Sequence, residues 1–168
     1  FKTWSWKGLT HGARSEQYTG ALPPIDSKEG HTMIDYTTVR TASDRHGEAN
    51  DCAVCAMTIA TGMDYHDIHK LYASKGRKPR AGTPQAVTSK VMGSLKRQGY
   101  KFVDEGMPRQ KSGSLYTMKT IAKAFPKGTY IVRVRGHMAA LVDGKVEDWT
   151  DNRRHQVLKV IRVKRPDN

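Results

Sequence analysis

The 168-residue chain carries 29 Lys and Arg against 16 Asp and Glu, giving a net charge of +13 and a pI near 9.9. With 37% apolar residues and a mean hydropathy of −0.68 it is polar but not disordered, and no run approaches the ~18 apolar residues a spanning helix needs, which excludes a transmembrane helix. The length suits one ordinary domain that buries its core without metal or disulfide staples.

The start, Phe1-Lys2-Thr3-Trp4-Ser5-Trp6, has no apolar h-region, so no signal peptide is expected; lacking Met, it reads as a processed or trimmed form. Trp4 and Trp6 fit either a partner surface or a core plug. Residues 1–49 form a polar, loop-rich extension of the same domain, with loop signals at Pro23-Pro24 and Ser27-Lys28-Glu29-Gly30. Within it, Met33 to Val39 is expected as a strand.

From Asn50 the apolar period becomes 3.6. Asn50 is expected as N-cap, Asp51 suits a first turn, and Ala53, Ala56, Met57, Ile59 and Ala60 form a stripe that Gly62 ends. A second helix runs from near Asp64 to Gly76 with Tyr65, Ile68, Leu71 and Tyr72 inward. Thr83-Pro84 reads as N-cap and N1 of a third, in which Val87, Val91 and Leu95 recur every four residues. A short strand is expected from Tyr100 to Val103, and a fourth helix from Leu115 to about Ala124. The period then changes to two: 129–135, 137–142, 145–149 and 156–164 read as strands rich in Val and Ile. Helices followed by a mostly antiparallel sheet define an α+β class.

Cys52 and Cys55 are the only cysteines. Three apart on one helix, they are poorly placed for a disulfide. A second pair for a zinc site is absent, and a reducing, cytoplasmic location follows. Cys52 opens its helix, where unpaired N–H groups and the dipole favour thiolate over thiol and the backbone offers an oxyanion donor. Cys55, one turn inward, reads as an inert core thiol.

Asp143-Gly144 is a strong two-residue hairpin signal. It pairs Val142 with Lys145, Leu141 with Val146, Ala140 with Glu147 and Ala139 with Asp148. His137, Ala139, Leu141, Val146 and Asp148 then share one face, with Asp148 diagonal to His137. A one-residue slip would separate them. The small residues Gly136, Ala139 and Ala140 leave room for a helix end.

Asn50-Asp51-Cys52 with its Ala-rich helix, then Gly136-His137-Met138-Ala139-Ala140-Leu141 and Asp148, resembles the papain-like cysteine peptidase superfamily. Compact bacterial and phage members, such as the bacteriocin-leader peptidases, are most similar. The resemblance spans roughly 50–163. It implies a papain-like catalytic domain over 50–168, with Cys52 as nucleophile, His137 as base and acid, and Asp148 as its orienter. The expected activity is hydrolysis of a peptide or isopeptide bond in a protein substrate, through a thioester. A phage origin would place the protein in the host cytoplasm or the virion. The family's Gln upstream of the Cys is missing, so the second oxyanion donor falls to Asn50 or His46.

Other readings remain open. A transglutaminase-like enzyme would use the same triad to transfer acyl groups to amines. A non-enzymatic basic protein would bind nucleic acid or a virion component; the densest basic runs are Lys75, Arg77, Lys78 and Arg80 and the tail Lys159, Arg162, Lys164 and Arg165, with Arg77, Lys78 and Arg80 as the expected contacts. His66 and His69 lack a metal motif and read as surface histidines. No metal or cofactor is expected.

Overall fold

The computed structural model describes residues 34–166. Four helices precede a five-stranded sheet: α1 (Tyr36–Arg45), α2 (Cys52–Thr61), α3 (Tyr65–Ser74) and α4 (Gln85–Arg97). The strands are β1 (Lys101–Gly106), β2 (Thr129–Val134), β3 (His137–Val142), β4 (Lys145–Glu147) and β5 (Lys159–Lys164). The chain is therefore α+β. The expected loops at 23–30 and the two tryptophans near the start lie outside the described residues.

Helix α1 replaces the strand expected from Met33 to Val39, of which Met33 lies outside the described residues. The Asp35 carboxylate accepts the Thr38 N–H at 2.7 Å, capping the first turn, and Val39 is buried against the other helices. The cap and that burial outweigh the β propensity of Thr37, Thr38 and Val39. Helix α2 is apolar nearly all round and buried along its length from Ala53 to Thr61, as a helix enclosed by others must be. It ends at Gly62, φ +72°, where the Arg165 guanidinium lies so close that an added Cβ would sit 2.8 Å from its Cζ. Arg165 also donates to the carbonyls of Ala60 and Ile59 at 3.4 Å each, covering the helix C-terminus.

All strand pairs are antiparallel, in the order β1-β5-β2-β3-β4. The β3–β4 hairpin has the expected register, Val142 opposite Lys145, Leu141 opposite Val146 and Ala140 opposite Glu147. Asp143 and Gly144 both have positive φ, +47° and +78°, as a type I′ turn requires. β4 stops at Glu147, so the expected pairing of Ala139 with Asp148 does not form. β5 begins at Lys159 rather than Gln156, and β1 runs on to Gly106 with a bulge between Asp104 and Gly106.

Alternation divides the sheet into two faces. Ile131, Ala140, Val142, Ile161 and Val163 pack under the helices, with Ala53, Val54 and Met57 of α2. Tyr130, Val132, Val134, Ala139, Leu141, Val146 and Val160 pack on the other face, beneath Met118, Ile121 and Val157. Each fully buried Ile, Leu or Val contributes about 1.5–3 kcal/mol. The second cover is not the helix expected over Leu115 to Ala124 but a looped segment with one 3₁₀ turn, Ile121–Lys123. The Met118 and Lys119 N–H groups go to the carbonyls of His155 and Arg153 at 3.0 and 2.9 Å. Thr120 Oγ1 takes the Thr117 N–H. With those donors spent elsewhere, an α-helical ladder cannot form.

Candidate active site

Asn50 is not the N-cap of α2. It holds a left-handed φ of +57° and donates its amide to the Arg80 carbonyl at 3.3 Å. Asp51 occupies the cap position, but its side chain makes no cap bond. Its carboxylate turns into the core, where Oδ2 accepts the Tyr65 hydroxyl at 2.6 Å and the Cys55 thiol at 3.4 Å, and Oδ1 lies 3.6 Å from Arg40 Nη1. The first turn of α2 is thus left uncapped, with Cys52 at its head, half-buried beside a cleft of about 970 Å³.

His137 and Asp148 reach the same cleft. The imidazole Nε2 lies 2.7 Å from Asp148 Oδ2, and that oxygen also accepts the Thr150 N–H at 3.0 Å and the Thr150 hydroxyl at 2.6 Å. Asp148 is fixed by the turn that follows β4, not by a ladder pair. The Trp149 ring lies 5.0 Å from the His137 ring, and His155 meets Trp149 edge-on at 5.7 Å. A largely exposed indole therefore covers the imidazole–carboxylate pair.

By alternation His137 shares its parity with Ala139 and Leu141, on the face away from α2. Of the small residues expected to leave room for a helix end, Ala140 does lie beneath α2, whereas Ala139 faces the other cluster. Thiol and imidazole meet because His137 is the first residue of β3, at the sheet's end beside the α2 N-terminus.

The electrostatics follow from these contacts. Burial pushes the Cys52 thiol up, but the His137 ring and the Met138 N–H draw it down further, leaving it below its ordinary value. Burial works against the imidazolium, yet Asp148 and Cys52 overcome it and raise His137 to about 9. Cys55 moves the other way: burial and the Asp51 carboxylate hold its thiol well above the ordinary range. The arrangement can carry a thiolate beside an imidazolium.

The two expected oxyanion donors part company. Asn50 lines the cleft, with one amide hydrogen on Arg80. His46 does not line it; its ring lies among Tyr65, His66 and His69 at centroid distances of 4.9–5.3 Å. His69, read as a surface histidine, is half-buried with Nε2 2.7 Å from Glu48 Oε1.

The basic patch is also divided. Arg77 is 5% exposed and forks onto Glu48 through Nη1 and Nη2 at 3.1 and 3.0 Å, so it is not a surface cation. Lys78 and Arg80 are exposed, and the Arg80 N–H is itself bonded to Glu48 at 3.0 Å. The loop is a buried ion-pair anchor leading to Gly82, Thr83, Pro84 and Gln85, which form one cleft wall.

The sequence did not point to Trp149, Gln85 and Tyr36, which line the cleft, or to Thr150, which holds Asp148 from behind. Only Thr150 left a signal, because Asp-x-Thr readily forms a side-chain turn two residues on. Among the described residues no three His, Cys, Asp or Glu side chains gather as a metal set, and no helix is long and apolar enough to cross a membrane. In comparisons of sequence and fold the chain matches no family model, no curated protein and no solved structure.

Proposed function

We propose that this protein is a papain-like cysteine hydrolase that cleaves a peptide or isopeptide bond through a thioester on Cys52. The observation that carries this reading is the 2.7 Å contact of His137 with Asp148, placed where the same imidazole lowers the thiol at an uncapped helix start.

Cys52 Sγ attacks the substrate carbonyl carbon, forming the S–C bond and a tetrahedral oxyanion. The Cys52 N–H, unpaired at the start of α2, is the first oxyanion donor, and Asn50 is the nearest expected second. His137 gives its proton to the departing amine as the C–N bond breaks. It then takes a proton from water, which attacks the thioester; the carboxylate product leaves and the thiolate returns. Asp148 holds the ring and stabilises its charged form throughout.

Incubation with a mixed peptide library, followed by acid quench and intact-mass analysis, tests this. A Cys52-linked acyl adduct that decays in water, and is absent in Cys52→Ala, is expected. Cleavage that survives Cys52→Ala would overturn the assignment. An added primary amine in the same assay separates hydrolysis from acyl transfer.

A further inference from the structure

The cleft beside Cys52 is unevenly charged. Arg133, Arg135, Lys159 and Arg40 all line it, and among the described residues its carboxylates are Asp51 and Asp148. Both are buried and committed: Asp51 to Tyr65, Cys55 and Arg40, and Asp148 to His137 and Thr150. Lys159 reaches out to Asp104 at 2.8 Å. Arg133 and Arg135 have no acidic partner among the described residues.

The ladder places these cations beside the thiol. Arg133 stands opposite Lys159 on β5 and opposite Met138 on β3. It has the parity of Ile131, on the helix side of the sheet, and the Met138 N–H acts on the Cys52 sulfur. Neighbouring strands lie about 4.8 Å apart, which puts Arg133 one strand away from the Met138 backbone beside Cys52, and Arg133 and Cys52 line the same cleft. Two like charges directly opposite one another destabilise an antiparallel pair. Among the described residues no carboxylate compensates Arg133, whereas an anionic ligand would.

We propose that this wall is an acidic-residue subsite: Arg133 and Arg135, backed by Lys159, bind a Glu or Asp carboxylate of the peptide beside the scissile bond. A guanidinium matches a carboxylate through two parallel N–H donors, and a half-enclosed wall weakens screening by solvent and salt. Occupation of this site by a cleavable peptide rests on the hydrolase reading above; the anion site does not.

Two measurements test it. The first compares peptides identical except for Glu, Gln or Lys beside the scissile bond. Glu peptides should exceed Gln peptides in kcat/KM by about tenfold, the effect of one charge-assisted hydrogen bond. That ratio should collapse in Arg133→Gln and Arg135→Gln, recover in part in Arg133→Lys, and hold in Lys164→Gln, which alters an exposed lysine outside the cleft. The second compares Cys52 alkylation by iodoacetate and iodoacetamide, which needs no turnover. The iodoacetate to iodoacetamide rate ratio should fall severalfold in the Arg→Gln variants and should fall with added salt in the wild type. Equal use of Glu and Gln peptides, or an alkylation ratio unmoved by either arginine change, overturns the subsite. If no peptide is cleaved, the hydrolase reading fails alone and the alkylation ratio still decides the anion site. Should Arg133→Gln fail to fold, the exposed Arg135→Gln carries both measurements.

Discussion

His137 spends its Nε2 on Asp148 at 2.7 Å, which leaves Nδ1 as the ring nitrogen available to Cys52. The carboxylate thus fixes the tautomer and the ring plane together, and the bond formed at one side of the imidazole decides the chemistry at the other. Thr150 fixes Asp148 in turn through two donors on the same oxygen.

Replacing Cys52 by Ala is expected to abolish acyl-enzyme formation, whereas Cys55→Ala keeps most of it. The two thiols differ in access and charge, one drawn down beside an imidazole and the other held up in the core. Iodoacetamide at pH 7.5 with peptide mapping should label Cys52 far ahead of Cys55. Equal labelling would show that position in the helix does not activate the thiol.

Asp148→Asn should retain the fold and lose on the order of 10²–10⁴ in rate, because the neutral amide neither orients the ring nor supports its charge. Asp143→Asn should change little. Asp143 accepts the Gly128 N–H at 2.9 Å through Oδ1, and Asn supplies both that acceptor and tolerance of positive φ. Single-turnover rates of the two variants, with circular dichroism as the check on folding, decide the point; a larger loss from Asp143→Asn would refute it.

The pH dependence has a defined sign. The Cys52 thiol lies below its ordinary value, so alkylation should rise with pH at a midpoint lower than that of an unperturbed thiol. His137 keeps its proton until about 9, so turnover should decline above that pH as the donor for the leaving amine disappears. Asp148 supports that proton, and Asp148→Asn should move the declining limb to lower pH. A limb that stays in place would sever Asp148 from the imidazole.

Breaking the Glu48–Arg77 fork should destabilise the fold by about 3–5 kcal/mol, since either single change leaves an uncompensated buried charge. The double change Glu48→Gln with Arg77→Met should recover much of that loss. Hydrogen bonds from Arg77 outweigh burial and hold the Glu48 carboxyl down at about 2. A depressed carboxyl contributes stability that is complete above its ordinary value near 4.5 and is lost as pH falls through about 2. Denaturant midpoints measured from pH 5 to pH 2 should therefore converge between wild type and Glu48→Gln at the acid end.

The parts of the site legible in sequence were those set by local rules. Asp143-Gly144 declared both a turn and, by counting outward, the register from Val142–Lys145 to Ala140–Glu147; the last step, from Glu147 to Asp148 beside His137, is made by the turn held by Thr150. Apolar spacing located α2, α3 and α4. What local rules could not show was competition from afar. Tyr36 to Val39 favours a strand by composition but packs as α1 once Asp35 caps it. The 115–124 segment has helical spacing, yet His155 and Arg153, more than thirty residues on, take its backbone donors. Arg77 looked like one cation in a basic run because its counterion, Glu48, lies twenty-nine residues upstream. The reach of His137 around the sheet's end likewise depends on where α2 docks, which no strand pattern encodes.

The sheet's two outer strands carry a further consequence. β4 offers only three residues of ladder, with the exposed Lys145 on it paired to Glu147 and the Tyr36 N–H bonded to that same carboxylate at 3.0 Å. β1, at the opposite border, is bulged and studded with Lys101, Asp104 and Glu105. Neither border gives an incoming strand a flat, apolar row of donors and acceptors to copy. Among the described residues neither edge offers a second copy of the chain a ready template, so association by extending the sheet is disfavoured.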